Sequence, residues 1–528
     1  MHIFEFVVTN NNKQAAPTEE IVRRGTARAD RPLSAFVGAP PETLADYLMP
    51  TFQYAADIVP PEYAATTRVL YQATAGMRLL TTDQQQAIYD ALYEGLVQRT
   101  DFVFQLERSD IATLTGDLEG YYGALAANYL HGTINTQLEL LPNQNKDNSS
   151  NNQHNGVVGA LDMGGSSTQI VFLPQHHPHY QSVHVQNDDD DDDDDTVCLN
   201  YDAEHDSEIT LECHVARRDE YPRVLQGEDF FAVSYLSYGA DQFRERLWTT
   251  WITEWQALNG SPKTCDAHVL PNPCAFKGYE AEWQGYKLVG TGEAHKCVQE
   301  VQRHIPHPEQ TLEELNDETS EQQMVGGIAH PPVHGKFVAM SLYFFTLDTL
   351  RALSHPDKEA YEALNLSWPN PSINELYNAL DGLCSRQWQG DLEEIKHDAH
   401  PFTKAEVLPH RCMEAVYIVI LLRDGFGFPP ESRDITFTFL VDGSEVEWTL
   451  GMALAMRAEE RYSLEKVAPA NGKAEENRYI SAREAARRHS STNLTHNPPS
   501  TTSCTAEDAA VEDFRKEIIC HTATSTAS

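Results

Sequence analysis

One stretch constrains this chain more than any other: Asp162-Met163-Gly164-Gly165-Ser166-Ser167-Thr168-Gln169. The apolar residues Val157 to Leu161 lead into it, and Ile170-Val171-Phe172-Leu173 lead out. Two short apolar runs around paired glycines read as strand, tight turn, strand. Adjacent glycines let a backbone approach a ligand closely and aim several N–H groups at one anion. Asp162, at the mouth of the turn, is the residue type that holds Mg²⁺ or Ca²⁺, cations that take carboxylate oxygen and water. Ser167 and Gln169 are suited to orient a water. The residues alone leave two readings open: an anion cradle with a metal handle, or an ordinary hairpin, since short glycine motifs are weak signals.

The remaining sequence narrows the class. At 528 residues the chain is long enough for two or more domains with substantial cores. Hydrophobic residues at 41% and charged residues at 22% describe a globular protein. The formal net charge is −40, to which the run Asp188 to Asp195 contributes. Nucleic acid is excluded as a partner, because its phosphates need Lys and Arg. An anionic ligand bound despite this charge requires backbone N–H groups and a cation. There is no run of about 18 apolar residues, so no membrane span is expected in this chain. Nor do the first residues carry a signal peptide's basic and apolar segments.

Along the chain, strands and helices alternate. Residues 1–8 read as a strand and 9–20 as a polar loop. Leu44, Tyr47, Leu48, Phe52 and Ala55 keep the 3–4 spacing of an amphipathic helix. Val69-Leu70-Tyr71 and Phe102-Val103-Phe104 read as strands, with Asp83 capping a helix between them. Tyr121 to Leu130 and Met413 to Leu422 read as helices, the second buried. Asp442-Gly443 marks a hairpin. Residues 142–156, 174–222 and 306–334 read as low-complexity surface inserts, and 466–528 as a disordered tail.

Four further segments accompany the glycine hairpin. They are Gln72-Ala73-Thr74-Ala75-Gly76-Met77-Arg78, Leu114-Thr115-Gly116-Asp117-Leu118-Glu119-Gly120, Val233 to Gln242, and Glu445-Val446-Glu447-Trp448-Thr449-Leu450-Gly451. In this order and spacing the five resemble the apyrases, the nucleoside triphosphate diphosphohydrolase family of the actin and sugar-kinase fold. The resemblance covers roughly residues 1–460. It implies an α/β chain of two actin-like (ribonuclease H-like) lobes with mixed sheets flanked by helices. Residues 1–125 plus 430–465 would form the first lobe and 126–429 the second.

The resemblance also assigns roles. Glu119 matches the family's catalytic base, and Ser167 and Gln169 match the residues that hold the attacking water. Thr74, Ala75 and Gly76 match one phosphate-binding turn, and Gly164, Gly165, Ser166 and Ser167 the other. Asp162 matches a carboxylate that holds Ca²⁺ or Mg²⁺ through water. Phe345 matches an aromatic that stacks on the base, although core packing suits its sequence equally. Arg78 is left between a phosphate contact and a structural salt bridge. Cysteines at matching places imply disulfides Cys274–Cys297 and Cys384–Cys412, with Cys198 and Cys213 a further candidate pair. The implied substrates are nucleoside di- and triphosphates. The implied setting is the Golgi or endomembrane lumen, or the extracellular space, with which the sequons at Asn148, Asn259, Asn365 and Asn493 agree.

Three departures from the family pattern stand out, the first being Ala124 where the family usually has Trp. Val233-Ser234 replaces the usual His-Ser/Thr, as in Golgi-type members. No counterpart of the family's first phosphate loop, Asp-Ala-Gly-Ser, precedes Met1-His2-Ile3-Phe4. The expectation is that this loop, and any anchor, lies upstream in a longer protein. Otherwise half of the phosphate clamp is absent and the chain is an impaired nucleotide-binding relative.

Overall fold

The computed structural model describes residues 1–9, 18–29, 31–141, 156–174, 197–199, 212–214, 224–260, 268–305, 323–355, 363–392 and 402–467. The chain opens with β1 (His2–Thr9) antiparallel to β2 (Thr18–Thr26). Helix α1 (Pro41–Ile58) follows, then β3 (Tyr71–Ala73), a helical turn at Ala75–Arg78 and α2 (Thr82–Val97). Next come β4 (Ile111–Thr113), parallel to β3, and α3 (Gly116–Leu130). The second half contributes β5 (Gly159–Met163), β6 (Ser167–Phe172), β7 (Phe231–Leu236), α4 (Ala240–Asn259) and β8 (Phe337–Ala339). It ends with α5 (Leu342–Leu353), α6 (Arg411–Ile420), β9 (Ile435–Phe437) and α7 (Trp448–Val467).

Five of these strands form one sheet in the order β9-β8-β5-β6-β7. β5, β6 and β7 are successive antiparallel strands, and β8 and β9 add parallel to β5 on its other side. This is the ribonuclease H-like arrangement. Both faces are covered, which is why β6 reads as an unbroken buried run. Strand alternation sends Ala160, Val171 and Val338 toward α3 and α7, against Leu125 and Leu454. Leu161, Ile170 and Phe172 go the other way, into the larger core of Phe243, Leu347 and Val416. Each fully buried Val, Leu, Ile or Phe among them contributes roughly 2 kcal/mol.

The first half repeats the two halves of that sheet as separate two-stranded sheets, β1–β2 and β3–β4. A cavity of about 960 Å³ lies between them, with Ile3, Phe4 and Phe6 on one wall and Val69, Leu70 and Tyr71 on another. The α/β class with mixed sheets and flanking helices is therefore as expected. Among the described residues no helix is long and apolar enough to cross a membrane.

Several local expectations change. β2 begins inside the 9–20 segment, because pairing with β1 outweighs its polar composition. The strand expected at Val69 begins at Tyr71. Phe102-Val103-Phe104 is not a strand; the Phe102 and Phe104 rings pack on Phe52 at 5.0 and 6.5 Å from a loop. α2 is capped by Thr81, not Asp83, through a reciprocal capping box with Gln84. Within 306–334, Gln323–Val325 and Ile328–His330 form a hairpin. The other inserts and the tail fall largely outside the described residues.

Candidate active site

The glycine hairpin forms between β5 and β6 as its sequence indicates. Gly164 N–H donates to the Ser167 carbonyl at 2.9 Å. The start of α4 holds the turn from outside. Ala240 N–H donates to the Gly164 carbonyl, and Asp241 and Gln242 to that of Gly165, each at 3.0 Å. Ser237 N–H donates to the Ser166 carbonyl at 2.8 Å. A trans peptide sets N–H opposite C=O. The amides of Gly165, Ser166 and Ser167 are thereby directed away from the helix start. Glycine at 239 is required by contact: a Cβ there would lie 2.3 Å from the backbone nitrogens of Ser166 and Ser167.

Thr74, Ala75 and Gly76 face this hairpin across the cavity, which both turns line. Glu119, Asp162, Ser341 and Glu447 line it too. Glu119 sits in the first turn of α3, whose N-cap is Thr115, where a carboxylate meets the positive end of the helix dipole.

The Glu119 carboxylate is held at one oxygen. Arg78 Nη2 donates to Oε2 at 2.9 Å, and Gln169 Nε2 lies 3.4 Å from the same oxygen. Arg78 Nη2 also reaches Ser167 Oγ at 3.2 Å, and Arg78 Nη1 the Leu114 carbonyl at 2.9 Å. Gln169 Nε2 lies 2.9 Å from both Ser167 Oγ and Ser234 Oγ. Burial pushes the Glu119 carboxyl up to about 7; Arg78 works against this and Asp162 with it. Burial also raises the Asp162 carboxyl, opposed by hydrogen bonds from Ser341 and the Met163 backbone. Ser341 starts α5 with φ at 53°. Glu447 is desolvated, but His2 and Arg28 beside it bring it below the usual carboxylate range.

The fold thus gathers Glu119, Ser167, Gln169, Asp162 and both glycine turns at one place. It does not bring Phe345 to the cavity wall. That ring packs on Phe344, Phe402 and Phe439 at 5.6, 5.6 and 6.1 Å. Sequence reasoning missed Ser234, Ser341 and Glu447 as members of the site. No local pattern marks Ser341, whose role depends on a backbone conformation. Disulfides Cys274–Cys297 and Cys384–Cys412 are present, with Cα separations of 4.8 and 4.9 Å. The backbone register sets Cys198 opposite Cys213.

The profile of the GDA1/CD39 (nucleoside phosphatase) family matches residues 1–205 and 225–469. The chain belongs to this family. It is a nucleoside phosphate hydrolase by kinship. It is 25% identical over 432 residues to ectonucleoside triphosphate diphosphohydrolase 1 of Rattus norvegicus, covering 78% of this chain and 70% of that one. It is 23% identical over 464 residues to the Golgi apyrase of Saccharomyces cerevisiae, covering 84% and 64%. Against the nucleoside-diphosphatase mig-23 of Caenorhabditis elegans, identity is 25% over 427 residues, covering 79% and 67%. As a member of the GDA1/CD39 family, the chain matches across both the two-stranded sheets and the five-stranded one.

Proposed function

We propose that the chain hydrolyses the terminal phosphate of nucleoside tri- and diphosphates, with Glu119 as the base. Water, oriented by Ser167 and Gln169, attacks the terminal phosphorus. Its proton passes to Glu119, and the bridging P–O bond breaks to release inorganic phosphate and the shortened nucleotide. The phosphates lie between Thr74-Ala75-Gly76 and Gly164-Gly165-Ser166-Ser167, whose N–H groups neutralise charge on the transferred group. One observation carries the reading: Glu119, raised toward neutral pH, is fixed at Oε2 at the edge of a cavity that both glycine turns line.

The residues suit a divalent ion. Asp162 lines the cavity and makes no salt bridge with Lys or Arg among the described residues. No group of three His, Cys, Asp or Glu residues gathers among the described residues to enclose a metal. A single carboxylate with waters and substrate phosphates is the way Mg²⁺ is commonly held. Such an ion, Mg²⁺ or Ca²⁺, would offset phosphate charge.

Supporting a lumenal or extracellular setting are the two disulfides and the relative named Golgi apyrase. The division into lobes at 1–125 plus 430–465 and 126–429 belongs to the same proposal. Phe345, partly buried in its aromatic cluster, remains the aromatic proposed to stack on the base.

A second reading is an impaired nucleotide-binding relative. It is favoured by the separation of β1–β2 from β3–β4 in the first half. Phosphate release from ATP, ADP, UDP and GDP with Mg²⁺ or Ca²⁺, measured beside nucleotide binding, separates the two. Glu119→Gln is expected to abolish release and keep binding. Release within about tenfold of the parent would remove Glu119 as base, since a positioned base contributes roughly 10²–10⁴-fold.

A further inference from the structure

Arg78 leaves the turn that carries Thr74-Ala75-Gly76, yet its guanidinium points inward. Nη2 contacts two site residues, Glu119 Oε2 at 2.9 Å and Ser167 Oγ at 3.2 Å. Nη1 is spent on the Leu114 carbonyl at 2.9 Å, one residue before the N-cap of α3. The pair is well shielded, with side-chain exposures of 14% for Arg78 and 11% for Glu119. Glu119 Oε1, by contrast, accepts no hydrogen bond among the described residues.

We propose that Arg78 is a positioning residue that fixes the catalytic carboxylate by Oε2 and leaves Oε1 for the water. One planar cation spans three elements: the turn before α3, the first turn of α3, and the hairpin residue Ser167. It ties the Thr74–Gly76 turn to the base and to the opposite glycine turn. An arginine that gripped substrate phosphate would instead keep its fork free for two phosphate oxygens. The assignment rests on the reading of Glu119 as base.

The charged groups facing Glu119 are Arg78, from the helical turn, and Asp162, from β5. From β6 it meets the neutral Gln169, whose amide in turn reaches Ser167 and, on β7, Ser234. Loss of Arg78 removes the positive charge and the hydrogen bond that favour the ionised form, so the carboxylate should take its proton at higher pH.

The test compares the parent chain with Arg78→Gln, Arg78→Lys and Glu119→Gln. In Arg78→Gln, kcat is expected to fall about 10²-fold, with KM for nucleotide within about threefold, as a misplaced reacting group produces. The acid limb of the kcat profile should move up by about one pH unit or more. Arg78→Lys keeps the charge but not the fork. It should hold the acid limb near its parental place while kcat stays depressed. An isotope-edited infrared titration of the Glu119 carboxyl, assigned by its loss in Glu119→Gln, reads the same midpoint without turnover. A midpoint unmoved in Arg78→Gln overturns the proposal, as does a rise in KM with kcat unchanged. Activity surviving Glu119→Gln removes the base itself and not merely its clamp.

Discussion

Gly116 and Ser234 touch so closely that a β-carbon on Gly116 would lie 2.2 Å from the Ser234 Cβ. The contact joins the start of α3 to β7, and Ser234 Oγ lies 2.9 Å from Gln169 Nε2. Gly116→Ala must displace either Ser234 or the first turn of α3, three residues before Glu119. The expected result is a loss of kcat of about tenfold or more. Circular dichroism of the folded protein should change little. Unaltered kcat would show that the contact yields without disturbing the site.

Glu119 gives the protein a defined pH response. As a base it works ionised, so hydrolysis should rise through about pH 7 and level off above it. Stability should run the other way. The folded carboxyl binds its proton more tightly than the unfolded one, so between about pH 4 and 7 the folded state carries more protons. Its contribution is complete below the unfolded value and is lost as pH rises through the folded one. Urea unfolding of Glu119→Gln should lack this decline.

The hairpin's backbone depends on Gly239. In Gly239→Ala the new methyl meets Ser166 and Ser167 nitrogens, which cannot swing aside as a side chain would. Nucleotide affinity, read by calorimetry in Glu119→Gln to prevent turnover, should fall about tenfold or more. That corresponds to roughly 1.4 kcal/mol, within the usual cost of overpacking.

The Cys384–Cys412 bond closes a loop with a sequence separation of 28 residues, and both sulfurs are fully buried. It joins the segment before Trp388 to α6. The double substitution to serine should cost about 3 kcal/mol, seen as a lower melting temperature. Reducing agent should lower the parent's melting temperature by more than the variant's, which keeps only Cys274–Cys297 to lose.

Legibility followed the range of the interaction. Helix α1 was plain because Leu44, Leu48, Phe52 and Ala55 repeat at helical spacing and are all buried. The turn at Asp442-Gly443 was plain because two successive positive φ values, 48° and 74°, favour such a pair. β2 was hidden, since Glu19 to Arg24 look like surface until β1 lies beside them. Phe102 and Phe104 looked like a strand because alternation is all a sequence shows; their partner is Phe52, fifty residues earlier.

The sequence by itself determined the chemistry on offer: a glycine hairpin with Asp162 at its mouth, a glutamate opening a helix, and a second turn at Thr74-Ala75-Gly76. These are local, because turns and caps are set by neighbouring residues. Only the tertiary structure decided how Arg78 is used. Its three partners, Leu114, Glu119 and Ser167, stand 36 to 89 residues away. A guanidinium's direction follows from whichever acceptors folding brings within 3 Å or so, and no spacing along the chain records that.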